Sequence, residues 1–281
     1  MISIDRARRK LALHWGKRVL SRFVTDDEPD ERDVAVMIPV ALKDVARAER
    51  TIPMVRLNLA HRISRFAIVA PSHDQIRALC ERLNVDFIDE RVHLDPLVGP
   101  ERARDTNGWI KQQLLKLIAP EIMGHDDVVV IDSDTYPIRK VAFLDSAGRQ
   151  ILYRGDQNAT PFHRFTENLI GKTPLKHSSF VAHCMLFRQE HLDLLRQDID
   201  RRHGREWQDV ILDLVAEDDA VAGVLSEYDL YGHFLVRDRP GRFSIRYYAN
   251  AKVGDDVFLN PDRIPPSKRH FRFVSNHQRG V

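Results

Sequence analysis

"VVVIDSDTYP" (residues 128–137) begins with four β-branched residues and then sets two aspartates one serine apart. An unbroken β-branched run reads as a strand buried on both faces, the kind that a parallel sheet requires. Asp132 and Asp134 stand at its carboxyl end. In extended chain, residues i and i+2 project to the same side, so the two carboxylates are expected to converge on one hard cation. The competing use of the pair is to cap the turn beside Tyr136 and Pro137. Two close carboxylates without a cation repel each other, which favours the cation.

Working outward, the preceding chain alternates strand and helix signals. "VAVMIPV" (34–40), "RFAIVAP" (65–71) and "VDFIDE" (85–90) are short apolar runs. "KDVARAERTIPMVRLNLA" (43–60) and "SHDQIRALCERL" (72–83) read as helices, the first kinked or divided at Pro53 and the second capped by Ser72. Strands alternating with helices predict parallel pairing through right-handed crossovers, hence an α/β fold with a mainly parallel central sheet and helices on both faces. In such sheets ligands bind beyond the carboxyl ends of the strands, where the two aspartates lie. The polar stretch from Arg91 to Asn107 is long for a connection and is expected to be a lid-like loop.

Composition bounds the function. The 281 residues are 43% hydrophobic and 30% charged, which suits a globular chain with a sizeable core. Forty-three basic residues against 41 acidic ones leave no overall field to draw in nucleic acid. Cys80 and Cys184 have no metal-ligand spacing and are expected as reduced thiols of a cytoplasmic protein. No apolar run approaches the roughly 20 residues of a membrane span, and the first residues lack the apolar core of a signal peptide. Residues 1–24 pattern as a basic amphipathic helix with Trp15 on its apolar face. That helix either anchors peripherally on anionic lipid or packs on the domain. The acidic stretch 25–33 reads as a solvated linker, which divides the chain into residues 1–33 and a main domain over 34–281.

On the helix before the aspartates, Ile110, Leu114, Leu117 and Ile118 form an apolar stripe, while Trp109, Gln112 and Lys116 share another face with Gln113 beside them. The whole block "NGWIKQQLLKLIAPEIMGHDDVVVIDSDTYPIRK" resembles the core of nucleotide-sugar glycosyltransferases of the A-type, Rossmann-like fold. A stronger resemblance is to a group of bacterial proteins known as a domain of unknown function, carried by "GWIKQQLLKL", "SSFVAHCMLF" and "SEYDLYGHFL" across residues 34–280. Phosphatases of the haloacid dehalogenase type also place aspartates after an apolar strand. Their threonine falls one position later than in D-S-D-T, and their aspartate strand is usually the first.

The resemblance implies a metal-dependent enzyme that moves a sugar from a nucleoside-diphosphate sugar to a hydroxylated acceptor, glycan or lipid-linked, in work such as cell-surface polysaccharide synthesis. The alternative is a sugar-nucleotide-binding or scaffold protein of the same fold without turnover. It implies Mn²⁺ or Mg²⁺ on Asp132 and Asp134, with His277 of the C-terminal segment preferred over His270 as a third ligand. Donor contacts are expected from Pro39, Val40, Trp109, Gln112, Gln113, Lys116, Asp132 and Ser133, with Lys43 or Asp44 as further candidates. Acceptor contacts are expected from His183, on a strand, and from Glu227 and Tyr228, near a helix start or turn. Glu227 is the expected base or hydroxyl anchor and Asp134 its catalytic companion. Asp156, after a turn at Gly155, either holds sugar hydroxyls or merely turns the chain. Trp207 and the acidic cluster 217–220 are alternative acceptor contacts.

Overall fold

The computed structural model describes residues 25–155, 160–176, 178–216 and 225–276. The N-terminal basic segment, Asp156, the acidic cluster 217–220 and His277 lie outside the described residues.

In chain order the first half comprises β1 (Asp30–Pro39), α1 (Val45–Asn58), β2 (His61–Ala70), α2 (Asp74–Leu83), β3 (Asp86–Asp89), α3 (Arg91–Val98), α4 (Pro100–Asp105), α5 (Gly108–Leu117), α6 (Ala119–Met123) and β4 (Asp127–Ile131). After it come β5 (Thr135–Pro137), β6 (Gln150–Arg154), α7 (Thr160–Ile170), β7 (Cys184–Arg188), α8 (Gln189–His203), α9 (Trp207–Ala216) and α10 (Glu227–Asp238). The described chain closes with β8 (Phe243–Tyr247), β9 (Asn250–Lys252), α11 (Asp255–Leu259) and β10 (Phe273–Ser275).

The central sheet has the order β3-β2-β1-β4-β7. Its first four strands are parallel, and β7 runs antiparallel to β4 at the edge. Side-chain alternation explains why these strands are apolar throughout. Ala35, Met37, Val128 and Val130 feed one core together with Ile110 and Leu114 of α5. Val34, Val36, Ile38, Val129 and Ile131 feed a second core with Ile52 and Val55 of α1 and Ile76 and Leu79 of α2. β1 and β4 at the centre of the sheet are therefore covered on both faces, as the sequence pattern predicts, while edge strand β3 stays half-exposed.

Two small sheets flank this one. β10 pairs antiparallel with β5 and parallel with β9, which lays the segment ending at Ser275 against the chain just after the aspartates. Tyr136 of β5 fixes that layer: its ring packs 4.6 Å from Phe258, and its hydroxyl donates to the Phe258 carbonyl at 2.9 Å. β6 and β8 form a parallel pair.

Several local expectations are corrected. α1 passes through Pro53 undivided, because Pro53 and Glu49, whose carbonyl loses its amide donor, are both exposed and water can serve that carbonyl. The cap of α2 is His73, whose Nδ1 accepts from the Gln75 amide at 3.2 Å, while Ser72 accepts from Arg77 instead. Residues 91–105 are not a lid-like loop. They form α3 and α4, hinged at Gly99 (φ 83°), and Arg102 ties α4 to Asp209 and Asp213 of α9. Residues 25–33 are not a solvated linker either. Asp27 is clasped by Arg246 and Arg272, each at 2.7 Å, and β1 already begins at Asp30.

Two predictions follow from this packing. Gly232 of α10 lies against Phe180, so closely that a Cβ there would fall 2.5 Å from the ring and 2.9 Å from the Phe180 Cβ. The Phe180 Cβ cannot rotate away, so the strain of overpacking should exceed the ~1 kcal/mol helix gain and leave Gly232→Ala about 1–2 kcal/mol less stable in urea denaturation. His191 is buried, and that burial pushes its imidazole from 6.5 down to about 4. The unfolded chain takes up that proton near pH 6.5 and the folded chain does not. Stability should therefore fall by up to about 1.4 kcal/mol per pH unit from this group as pH drops from 6.5 towards 4. His191→Gln should flatten that slope between pH 6.5 and 5.

Candidate functional site

The site forms where β4 runs out. Asp132 is the first residue past the strand, and its amide donates to the His183 carbonyl at 2.9 Å. The chain then turns: the Thr135 amide donates to the Asp132 carbonyl at 3.1 Å, with Ser133 and Asp134 at the corners. The expected extended geometry is thus replaced by a turn, so simple alternation does not set where the two carboxylates point. The buried Ser133 is pinned through its carbonyl, which accepts from Thr51 of α1 at 2.7 Å. The Asp134 carbonyl accepts from the Asn276 amide at 2.9 Å, so the end of the described chain closes on this turn.

Around Asp132 three segments converge. Lys116 of α5 donates to Oδ1 at 2.6 Å, and the Tyr228 hydroxyl donates to the same oxygen at 2.9 Å. His183 Nδ1 lies 3.0 Å from Oδ2. The Lys116 ammonium also sits 2.7 Å from Glu227 Oε1 and 4.6 Å from the centre of the Tyr228 ring. The side chains of Lys116 and Glu227 are 3% and 2% exposed, and that of Asp132 is 22% exposed. Glu227 Oε1, itself buried, takes the Lys116 ammonium at 2.7 Å as its partner, so the lysine bridges the two acids.

The charges follow from this geometry. Burial works against the Lys116 cation, but Asp132 and Glu227 together outweigh it and raise its pKa. Burial likewise works to raise Asp132, yet Lys116 and His183 prevail and hold its carboxyl below the ordinary range. Glu227 ends on the other side. Burial and the neighbouring Asp132 raise its pKa despite Lys116. Burial also raises the Tyr228 phenol well above its usual value, so it remains a donor. One cation shared by two acids makes Glu227 the group that takes a proton more readily.

Sequence reasoning places Lys116 beside Trp109 and Gln112 on one helix face. In the structure these part company: Lys116 and Gln113 are buried, Gln112 is half-buried, and Trp109 is 46% exposed. Gln113 accepts from the Glu227 amide at 3.5 Å, and the Trp109 indole donates to the Leu225 carbonyl at 3.4 Å. His183 is not on the strand but directly before β7, with a left-handed φ of 55°, a conformation uncommon outside glycine that histidine, asparagine and aspartate adopt more readily than other residues. Glu227 and Tyr228 open α10 as expected, behind Ser226, which caps the helix by accepting from the Asp229 amide. Pro39 and Val40 are buried at the end of β1. Lys43 is exposed, and Asp44 pairs with Arg47. Trp207 is buried in the core, and the half-buried His270 stacks on Phe271.

The link between His183 and Asp132 and the anchor from Thr51 were missed by sequence reasoning. Neither has a local signal, because their partners lie far along the chain. A further group also escaped notice. Among the described residues, His163, Asp229 and His233 are the one set of three metal-ligating side chains whose donor atoms all lie within 4.8 Å of one another. Asp132 and Asp134 form no such set with a third described residue.

Removing the central cation exposes its worth. Lys116→Met should cost about 3–5 kcal/mol of stability by leaving the buried Glu227 carboxylate without its cation and Asp132 with only Tyr228 and His183. In a double-mutant cycle with Glu227→Gln, the pair should be less destabilised than the sum of the single changes, by urea denaturation at neutral pH.

Several solved structures are similar in overall course. Mouse xyloside xylosyltransferase 1 in its apo form has a TM-score of 0.49 and 16% identity, over 88% of this chain and 98% of that one. The galactosyltransferase LgtC, in complex with donor and acceptor sugar analogues, has a TM-score of 0.45 and 15% identity, over 88% and 87%. The bifunctional glycosyltransferase WbbM in its apo form gives 0.47 and 11%, with 90% of this chain spanning only 47% of that one. No curated protein matches the sequence. The model of a family of unknown function, DUF6492, matches residues 31–263, and the chain belongs to that family.

Proposed function

We propose that the chain is a metal-dependent glycosyltransferase that moves a sugar from a nucleoside-diphosphate sugar to a hydroxyl acceptor such as a glycan or a lipid-linked sugar. One observation supports this reading: beyond the carboxyl end of a parallel strand, two acids from separate elements, Asp132 and Glu227, converge on one buried lysine, and Asp132 stays 22% exposed. Charged and hydrogen-bonding groups held rigidly beside a partly open carboxylate suit a phosphorylated, hydroxyl-rich ligand.

The chemistry of the donor set fits a hard cation, with one restriction. Asp132 Oδ1 already takes two donors, and Oδ2 faces His183, which leaves one lone pair for a metal. Asp132 therefore serves as a monodentate ligand, with Asp134 beside it and His277 as the further ligand that the sequence offers. When bound, Mn²⁺ or Mg²⁺ would supply positive charge to the departing nucleoside diphosphate. Lys116 holds Asp132 ionised and fixes Glu227 in place. Glu227 accepts a hydrogen bond from a substrate hydroxyl and, where the mechanism calls for a base, its proton. Tyr228 orients Asp132 through its phenol, and His183 does so from the opposite oxygen. Gln113 steadies the first amide of α10. Pro39, Val40, Trp109, Gln112 and Ser133 complete the donor side in this proposal.

Among the described residues no helix is long and apolar enough to cross a membrane. The basic amphipathic pattern of residues 1–24 suits a peripheral contact with anionic lipid, the alternative being a helix packed on the domain. Deleting them should lower binding to anionic vesicles at low salt, and a full-length chain that ignores such vesicles would refute that contact.

Asp134→Asn is the cleaner test of the metal, since Asp132 also belongs to the lysine network. Calorimetry should show that Mn²⁺-dependent nucleoside-diphosphate binding is lost in this variant while the fold persists. Equal affinity with and without chelator in the wild type would overturn the metal's role. Glu227→Gln should keep donor binding and lose transfer by about 10²-fold or more, the range of a positioned acid–base group. Donor binding without any transfer by the wild type across a panel of acceptors would instead support a sugar-nucleotide-binding protein.

A further inference from the structure

A second constellation lies behind α10, away from the lysine network. Asp229 and His233 are four residues apart on α10 and so project from the same face of that helix. His163 meets them from α7, and its Nε2 stands 3.2 Å from His233 Nε2 and 2.8 Å from the Ser178 carbonyl oxygen. All three side chains are buried, with donor atoms within 4.8 Å of one another.

We propose that His163, His233 and Asp229, with the Ser178 carbonyl, form a binding site for a divalent transition-metal ion of the zinc type. Two imidazoles with one carboxylate suit zinc, cobalt or nickel better than magnesium or calcium, which prefer all-oxygen shells. The separation of the two imidazole nitrogens is also right. Bonds of about 2.0–2.1 Å to a common tetrahedral ion place two nitrogens roughly 3.3 Å apart. No lysine or arginine among the described residues forms an ion pair with Asp229, so its carboxylate is open to a bound cation. Its carboxylate is instead aimed by the Phe180 amide and the Ser179 hydroxyl, the kind of outer contacts that orient metal ligands. The two rings stand at 87° to each other, and Phe180 packs edge-on against His233, which keeps the site dry.

Such an ion would clamp α10, which carries Glu227 and Tyr228, to α7 and to the segment 178–181 that leads into His183. It is a structural site, separate from any cation on Asp134.

The test uses full-length protein expressed with Co²⁺ or Zn²⁺ in the medium. One metal per chain should survive purification, cobalt protein should show the strong visible bands of a tetrahedral site, and chelator should lower the thermal midpoint. His163→Gln should weaken Co²⁺ binding by more than about 100-fold, beyond the cost of losing an outer-sphere partner. Asp134→Asn should keep both metal and spectrum. Should His163→Gln fail to fold, anomalous diffraction at the cobalt edge on wild-type crystals decides, with a peak between His163 and His233 expected. Wild-type protein that holds no cobalt or zinc, or a cobalt spectrum lost in Asp134→Asn but kept in His163→Gln, overturns the proposal.

Discussion

A lysine ammonium buried between two carboxylates is the constraint on which the site depends. Lys116 comes from α5, Asp132 from the end of β4 and Glu227 from the start of α10, so three separate elements meet at one charge. A cation so deeply buried is tolerated only with close partners, and each acid in turn needs the cation. The relative positions of helix, strand end and second helix are therefore set together, to within the length of a hydrogen bond. Tyr228 and His183 add the remaining contacts of Asp132 and fix which way its oxygens face.

The layered architecture was legible in the sequence because parallel strands advertise themselves. Val128 and Val130 enter one core while Val129 and Ile131 enter the other, so no polar residue interrupts the run. α5 was legible by its period, whereas at Glu227 and Tyr228 a helix start and a turn could not be told apart. What could not be read were choices decided between distant parts of the chain. The Ser133–Asp134 turn is held by Thr51 and Asn276, and neither announces itself beside the aspartates. Lys116 is expected as a donor contact and is found buried between two acids, because helical periodicity tells which residues share a face but not what covers it.

The corrected segments share a cause. Residues 91–105 and 25–33 are polar enough to pass for loop and linker, yet their charges are matched across the fold, Arg102 with Asp209 and Asp213, and Asp27 with Arg246 and Arg272. Polar composition marks a segment as solvated only when its charges lack fixed partners. Pro53 shows the same limit for backbone rules, since its effect depends on whether water reaches the carbonyl it leaves unbonded.

The pairing of β5 with β10 joins Thr135 to Ser275, about 140 residues apart along the chain, through a ladder of only three residues. Closing so large a loop is entropically costly, and a short ladder returns little until the surrounding layers have assembled. Those layers are in place around it: Thr135, Tyr136, Phe273, Val274 and Ser275 are all fully enclosed. The turn that carries Asp134 is thereby tied to a segment at the far end of the chain, so a change in β10 reaches the aspartates through backbone pairing alone.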